Sequence, residues 1–263
     1  MKTRIIAWWS GGITSAVACH WAIQAFNNVT IVFLDTKKNE DEDTYRFFND
    51  CEKLYKQKIE VLSNPNYKTI QDVWRKYNSL NTAHGAICST ELKRVMREGY
   101  QNIDTDYAQI FGFEFNKKEI RRHFQMRKNY PEINMMSPNI ENKMNKRDCI
   151  RHIKILGIDT PRAYKLGYQN NNCLRTGCVQ GGIGYWQKRK IESPESFEAM
   201  AAMEHELTDK KGEPVTILKD QSKGGGLVFL KPHPNYPLMK DISMMKGRRI
   251  IPLMECTGFC STK

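Results

Sequence analysis

The feature that most constrains this chain is a pair of glycines between an apolar run and an alanine-rich stretch. Thr3 to Trp9 is followed by Ser10-Gly11-Gly12, and then by Thr14 to Phe26. The apolar run contains Ile5 and Ile6 and has the length of a buried strand. The glycines break it, and alanine favours the helix that follows. Val29 to Leu34 (Val-Thr-Ile-Val-Phe-Leu) is continuous and largely β-branched, which predicts a second strand. Asp41 to Tyr55 predicts a helix with Tyr45, Phe48 and Leu54 on its apolar side. Ile59 to Leu62 and Tyr107 to Phe113 predict two more strands. Strands separated by helices of this length form a parallel sheet covered on both faces. The predicted fold class is therefore α/β, a doubly wound and mostly parallel sheet.

After about Lys117 the pattern changes. Lys117 to Lys128 is basic and has no clean period. Asn145 to Leu156 predicts a helix with Cys149, Ile150, Ile153 and Leu156 inward. Asn145 with Asp148 three residues on reads as its cap, and Gly157 as its stop. Ser193-Pro194-Glu195 opens another predicted helix, to about Leu207. Gln221 to Gly226 reads as a loop or turn, and no internal repeat is visible.

Lys and Arg total 41 against 29 Asp and Glu, a net charge of +12. Such an excess favours polyanions: nucleotides, sulfated or phosphorylated small molecules, or a nucleic acid. No stretch approaches the roughly 18 apolar residues of a spanning helix, and the N-terminus lacks the pattern of an export signal. A cytoplasmic protein with no membrane partner is expected. In a reducing compartment its eight cysteines read as buried thiols, metal ligands or catalytic thiols rather than disulfides.

The segment Ser10-Gly11-Gly12-Ile13-Thr14-Ser15 lies between a predicted strand and a predicted helix. Two glycines permit close approach to an anion. Hydroxyls and free N–H groups at a helix start can bind phosphate or sulfate oxygens. The lysine of a Walker loop and the dinucleotide Gly-x-Gly-x-x-Gly fingerprint are both absent.

These residues resemble the pyrophosphate loop (PP-loop) of the adenine nucleotide α-hydrolase superfamily, which includes ATP pyrophosphatases and phosphoadenosine phosphosulfate (PAPS) reductases. Further segments resemble the reductase family in order along the chain. They are Phe33-Leu34-Asp35-Thr36 with Asp43-Thr44-Tyr45-Arg46-Phe47, then Cys88-Ser89-Thr90-Glu91-Leu92-Lys93-Arg94. Phe111-Gly112-Phe113 with Arg121 and Arg122 follows, then Tyr164, Gly167 and Tyr168 ahead of Cys173 and Cys178, and finally Glu255-Cys256. The chain departs from the family at Thr14, where pyrophosphatases carry Asp. It departs again in the spacing Cys173-x4-Cys178 and in the ending Cys256-Thr-Gly-Phe-Cys260. It resembles a divergent member.

The resemblance implies a nucleotide-binding α/β core over residues 1–116. A smaller, irregular, helical and loop-rich C-terminal lobe with the cysteine pairs, residues 117–263, would pack on it. Ligands of such sheets sit at the carboxyl ends of the strands. Ser10, Gly11, Gly12, Thr14 and Ser15 are therefore assigned to the phosphate or phosphosulfate group. Leu34, Asp35, Thr36 and Gly112 are assigned to the nucleotide, and Lys93, Arg121 and Arg122 are candidate anion clamps.

Cys19, Cys51 and Cys149 fall inside predicted helices and read as small core side chains. Cys88, Cys173, Cys178, Cys256 and Cys260 fall in loops, one more than a four-thiolate site needs. Spacing alone admits zinc or a [4Fe–4S] cluster. The resemblance favours the cluster, with Cys88, Cys173, Cys178 and Cys260 as ligands and Cys256 as the catalytic thiol beside Lys93.

Gln180 to Lys190 joins glycines, Tyr185, Trp186 and basic side chains. It reads either as a single-strand nucleic-acid contact or as a loop with both aromatics packed inward. Three functions follow. The first is a sulfonucleotide reductase in which a thiolate attacks PAPS or adenylylsulfate, with a thiol reductant. The second is an ATP pyrophosphatase (with Mg) that adenylates an acceptor, RNA or DNA among them, for thiolation by a sulfur donor. The third is a non-catalytic nucleotide- or metal-binding subunit.

Overall fold

The computed structural model describes residues 3–82, 85–251 and 253. A five-stranded, all-parallel sheet organises the first half of the chain. Its strands are β1 (Arg4–Trp9), β2 (Val29–Leu34), β3 (Ile59–Leu62), β4 (Asp106–Ile110) and β5 (Met135–Met136), in the order β3-β2-β1-β4-β5. The order reverses direction at β1, so a crevice opens between the carboxyl ends of β1 and β4, the switch point where such sheets bind ligands.

The helices of eight residues or more are α1 (Ile13–Ala25), α2 (Glu42–Tyr55), α3 (Ile70–Tyr77), α4 (Lys117–Asn129), α5 (Lys146–Ile155), α6 (Ile183–Glu192) and α7 (Pro194–Lys211). The strand side chains alternate between two cores. Ile5, Ala7, Trp9, Ile31 and Phe33 pack with α1, α2 and α5, whereas Ile6, Trp8, Val32 and Leu34 pack on the other face with Met126 of α4. Both faces are covered, which is why β1 and β2 read as unbroken apolar runs. The fold is the expected doubly wound α/β sheet.

A third core joins Tyr67, Trp74 and Leu92 to Trp186 of α6 and Phe197 of α7. The packing does not follow a division at residue 116. Met126, Met135, Cys149 and Ile153 pack on the sheet, while Tyr67 to Leu92 contribute to the third core.

Lys117–Asn129 is a full helix where the sequence shows no period. Its buried positions are Glu119, Arg122, His123 and Met126. The inward face is thus polar: the Arg122 guanidinium pairs with the Glu119 carboxylate at 2.7 Å, and it also lies over the Phe113 ring. An apolar-period test misses a helix whose buried charges neutralise each other. The α5 cap forms as expected, with reciprocal bonds between Asn145 and Asp148, and Gly157 follows with φ +79°.

Candidate active site

The Gly-Gly turn places α1 directly behind β1. Gly11 has φ +85°, a conformation that side chains rarely adopt. The Ser15 hydroxyl donates to the Gly12 carbonyl at 2.8 Å and accepts from the Ser10 N–H at 2.9 Å; the Ser10 hydroxyl lies 3.0 Å away. Asn171 donates to the Gly11 carbonyl at 2.8 Å and to the Thr44 hydroxyl at 3.0 Å. The Ile13 N–H donates to the Tyr164 hydroxyl at 3.2 Å. The loop is therefore held by the chain that leads into the cysteine loop.

Gly112 closes the loop from β4. A Cβ there would stand 2.5 Å from Ser15 Cα and 2.6 Å from Ser15 N, so only glycine allows this approach. Thr14 and Ser15 are buried, and the Thr14 hydroxyl has no hydrogen-bond partner among the described residues.

Beside the loop lies a pocket with about 560 Å³ of empty space, its mouth included. Ser10 and Thr36 line it from the ends of β1 and β2. Cys88, Ser89 and Lys93 line it from the segment after residue 86. Asn171, Asn172, Cys173 and Cys178 line it from the cysteine loop. Thr90–Arg94 is a π-helical turn, a rare geometry frequent at functional sites, and it carries Lys93. Residues far apart in sequence, namely three of the five loop cysteines, Lys93 and Ser10, thus share one cavity. Trp74 Nε1 and Asn171 Oδ1 belong to lining residues and are buried without a hydrogen-bond partner among the described residues. Buried polar atoms left unpaired in a cavity wall mark a place where a ligand or water completes the bonding.

The electrostatic centre of the pocket is a buried pair. Lys93 Nζ lies 3.7 Å from Glu40 Oε1, both side chains at most 3% exposed. The Thr36 hydroxyl donates to the other Glu40 oxygen, and the Cys173 thiol lies 3.8 Å from the same hydroxyl. Burial pushes the Glu40 carboxyl up, against the opposing pull of Lys93 and Thr36. Lys93 is thus no solvated surface charge.

Glu40 did not stand out in sequence because it sits in the run Lys37-Lys38-Asn39-Glu40-Asp41, which reads as a solvated loop. Asn171 likewise hides in a run of three asparagines, although a triple amide next to a loop cysteine was a usable signal.

Other expected residues fall elsewhere. Leu34 is buried in the sheet core. Asp35 accepts from the Lys38 N–H and from the Ser63 hydroxyl. Arg121 is exposed on α4, and Arg122 is committed to Glu119; neither lines the pocket. Cys256 and Cys260 lie outside the described residues. Cys19, Cys51 and Cys149 are fully buried, and burial pushes the Cys51 thiol up to about 12.

Tyr185 and Trp186 are buried, so the aromatics of Gln180 to Lys190 pack inward. The Tyr185 hydroxyl accepts from the Cys178 N–H at 3.0 Å, and a Cβ on Gly177 would stand 2.4 Å from the Trp186 ring. These two aromatics shape the cysteine loop and leave no face for stacking bases.

Among the described residues, no group of three His, Cys, Asp or Glu side chains is spaced to hold a metal ion. Cys88, Cys173 and Cys178 share the cavity. Among the described residues, no helix is long and apolar enough to cross a membrane.

A parallel sheet with a glycine loop at its switch point and a thiol-lined pocket beside it defines a doubly wound α/β class of fold. Residues 4–108, from β1 into β4, match the family model of the phosphoadenosine phosphosulfate reductase domain. Among solved structures, the chain is similar to the phosphoadenylyl-sulfate (PAPS) reductase from Candida auris in its phosphate complex. The identity is 13% and the TM-score 0.49, over 65% of this chain and 81% of that one. No curated protein matches the chain.

Proposed function

We propose that this chain is a sulfonucleotide reductase-like enzyme. It binds an adenine nucleotide at Ser10 to Ser15 and Thr36 and carries out thiol chemistry on the sulfur of PAPS or adenylylsulfate. The observation that carries the reading is the meeting of Cys88, Cys173, Cys178 and Lys93 with Ser10 in one pocket at the strand ends.

In the first step a cysteine thiolate bonds to the sulfate sulfur. The S–O bond to phosphorus breaks, and the nucleotide leaves with that oxygen. In the second step another thiolate attacks the modified cysteine, sulfite leaves, and a disulfide remains. The attacking thiol is assigned to Cys256 and the second to an external dithiol. The two electrons come from that dithiol, whose other thiol releases Cys256 and closes the dithiol's own disulfide. Lys93 offsets the negative charge that gathers as nucleotide and thiolate approach, and a neighbouring cation favours the thiolate over the thiol. The π-turn and the Glu40 carboxylate hold its ammonium in place.

The test is sulfite release from PAPS and from adenylylsulfate in the presence of a dithiol. Activity with either, lost in Lys93→Met, supports the reading. Full activity in Cys256→Ser removes that thiol from the scheme. A second reading is favoured by the Ser-Gly-Gly start, which resembles that of the ATP pyrophosphatases: adenylation of an acceptor for thiolation. Pyrophosphate release from ATP without sulfite release from either sulfonucleotide replaces the first reading by the second. Iron and zinc analysis of anaerobically purified protein tests the Cys88, Cys173, Cys178 and Cys260 ligand set.

A further inference from the structure

The positive charge of this protein is not spread evenly. Residues 117–165 carry 13 Lys and Arg against five Asp and Glu, +8 of the total +12, and so the other 214 residues supply only +4. The structure sorts this charge further. Glu119, one of the five acids, is buried against Arg122. Glu114, just ahead of the segment, is buried too, with Lys146 Nζ at 3.8 Å. Each of these carboxylates is thus offset by a cation, Glu114 at the wall of the groove described below, while Lys117, Lys118, Arg121, Arg127 and Lys128 stay exposed.

On α4 the exposed residues Lys117, Arg121, Phe124 and Lys128 follow the spacing i, i+4, i+7, i+11, a single stripe along the helix. Phe124 is 59% exposed in that stripe, and Phe115, just before the helix, is 40% exposed. The stripe is about 16 Å long at 1.5 Å per residue. At its start it meets a groove lined by Lys118 of α4, Asn145, Lys146 and Arg147 at the head of α5, and Tyr164 and Gln169. Tyr164 is the residue whose hydroxyl accepts from the Ile13 N–H, so the groove adjoins the Gly-Gly loop. Beyond the groove, Arg147, Arg151 and Lys154 form a second exposed basic row on α5.

We propose that this face binds a single-stranded nucleic acid, with the basic rows of α4 and α5 tracking its phosphodiester backbone and Phe115 and Phe124 stacking on its bases. Cations alone would serve any polyanion. Solvent-exposed aromatic rings set within a cationic stripe add the feature that single-strand binding uses: a flat apolar face for each base beside a positive track for the phosphates. Phe124 stands between Arg121 and Lys128 in the stripe, rather than on the continuous apolar face that an amphipathic helix presents to a lipid surface. The face does not use the aromatics of Gln180 to Lys190. It is independent of the sulfur chemistry proposed for the pocket, since none of its stripe residues lines that pocket.

The test is fluorescence anisotropy with a 20-nucleotide oligo-dT and oligo-rU, over a salt series, using the full chain. Both probes are expected to bind, with an affinity that falls steeply with salt. The Lys117→Glu/Lys128→Glu variant should weaken binding at least tenfold and reduce the salt slope by about 1.4, at roughly 0.7 for each of the two phosphates no longer neutralised. Phe124→Ala should weaken binding about tenfold and leave the salt slope unchanged. Lys53→Glu, a charge reversal on α2 outside the two basic rows, should change nothing. Three results would overturn the proposal: absence of salt-dependent binding, equal loss in Lys53→Glu and the α4 double variant, or binding of anionic phosphatidylserine vesicles without binding of either oligonucleotide. Thermal melting of each variant separates loss of the face from loss of the fold. Sulfite release measured in parallel reports on the pocket separately.

Discussion

Replacing Lys93 by Met keeps the length of the side chain and removes the charge that faces Glu40. The two groups lie 3.7 Å apart and almost fully buried. At an effective dielectric constant near 20 their attraction is about 4 kcal/mol, and breaking one side of a buried pair typically costs about 3–5 kcal/mol. For a chain of this size each kcal/mol shifts Tm by about 2–4 °C, so Lys93→Met should lower Tm by roughly 6–20 °C. The loss has a definite pH dependence. Burial holds the Glu40 carboxyl above its ordinary range, and Lys93 is the largest influence opposing that rise. A group whose folded value is raised contributes stability in acid and loses it as pH rises through that value. Without Lys93 the value climbs further, so the variant should suffer least near pH 5 and most near pH 8. Thermal melting monitored by circular dichroism at both pH values reads this out. Glu40→Gln/Lys93→Met should recover more than half of the lost Tm and the whole of the added pH dependence. Equal losses at both pH values, or a double variant no better than the single one, would refute the assignment of a buried charge pair.

Gly112→Ala forces a Cβ within 2.6 Å of the Ser15 backbone and should cost about 1–3 kcal/mol, with weaker adenine-nucleotide binding by calorimetry. Trp186→Ala empties a fully buried site beneath the cysteine loop. It should cost about 3–5 kcal/mol, seen as a large fall in denaturant midpoint. Glu204 is buried between the N–H groups of Ile217 and Leu230, and burial pushes its carboxyl up to about 8. Its contribution to stability is therefore full below the ordinary carboxylate range and lost as pH rises to about 8, so Tm should drop between pH 5 and 8 in the native chain and less in Glu204→Gln.

The sheet was legible because its strands are buried on both faces. Continuous runs such as Val29 to Leu34 leave few alternatives, and the structure reproduces that strand residue for residue. Helix α5 was legible from its cap and its stop. Helix α4 was not, because its inward face is built mainly from an ion pair and a histidine, with Met126 its one buried apolar side chain. The reading of Gln180 to Lys190 left two choices open. Burial decided between them, since local sequence carries no record of what packs on a tryptophan. In the site, Ser10, Thr36, Lys93 and three loop cysteines could be named from sequence, because glycine turns and loop thiols are conspicuous. Their meeting in one pocket depends on contacts more than a hundred residues apart, and Glu40, the partner that fixes Lys93, was hidden among its charged neighbours.

One amide joins the two halves of this arrangement. The Asn171 side chain holds the Gly11 carbonyl, and Cys173 follows only two residues later. The glycine turn and the thiol arm therefore share a mechanical joint. Under the proposed function, the peptide that would meet the phosphate group and the thiol that would meet the sulfur are separated by one hydrogen bond and two residues of chain, so the spacing between the two ends of the substrate is set by a single side chain.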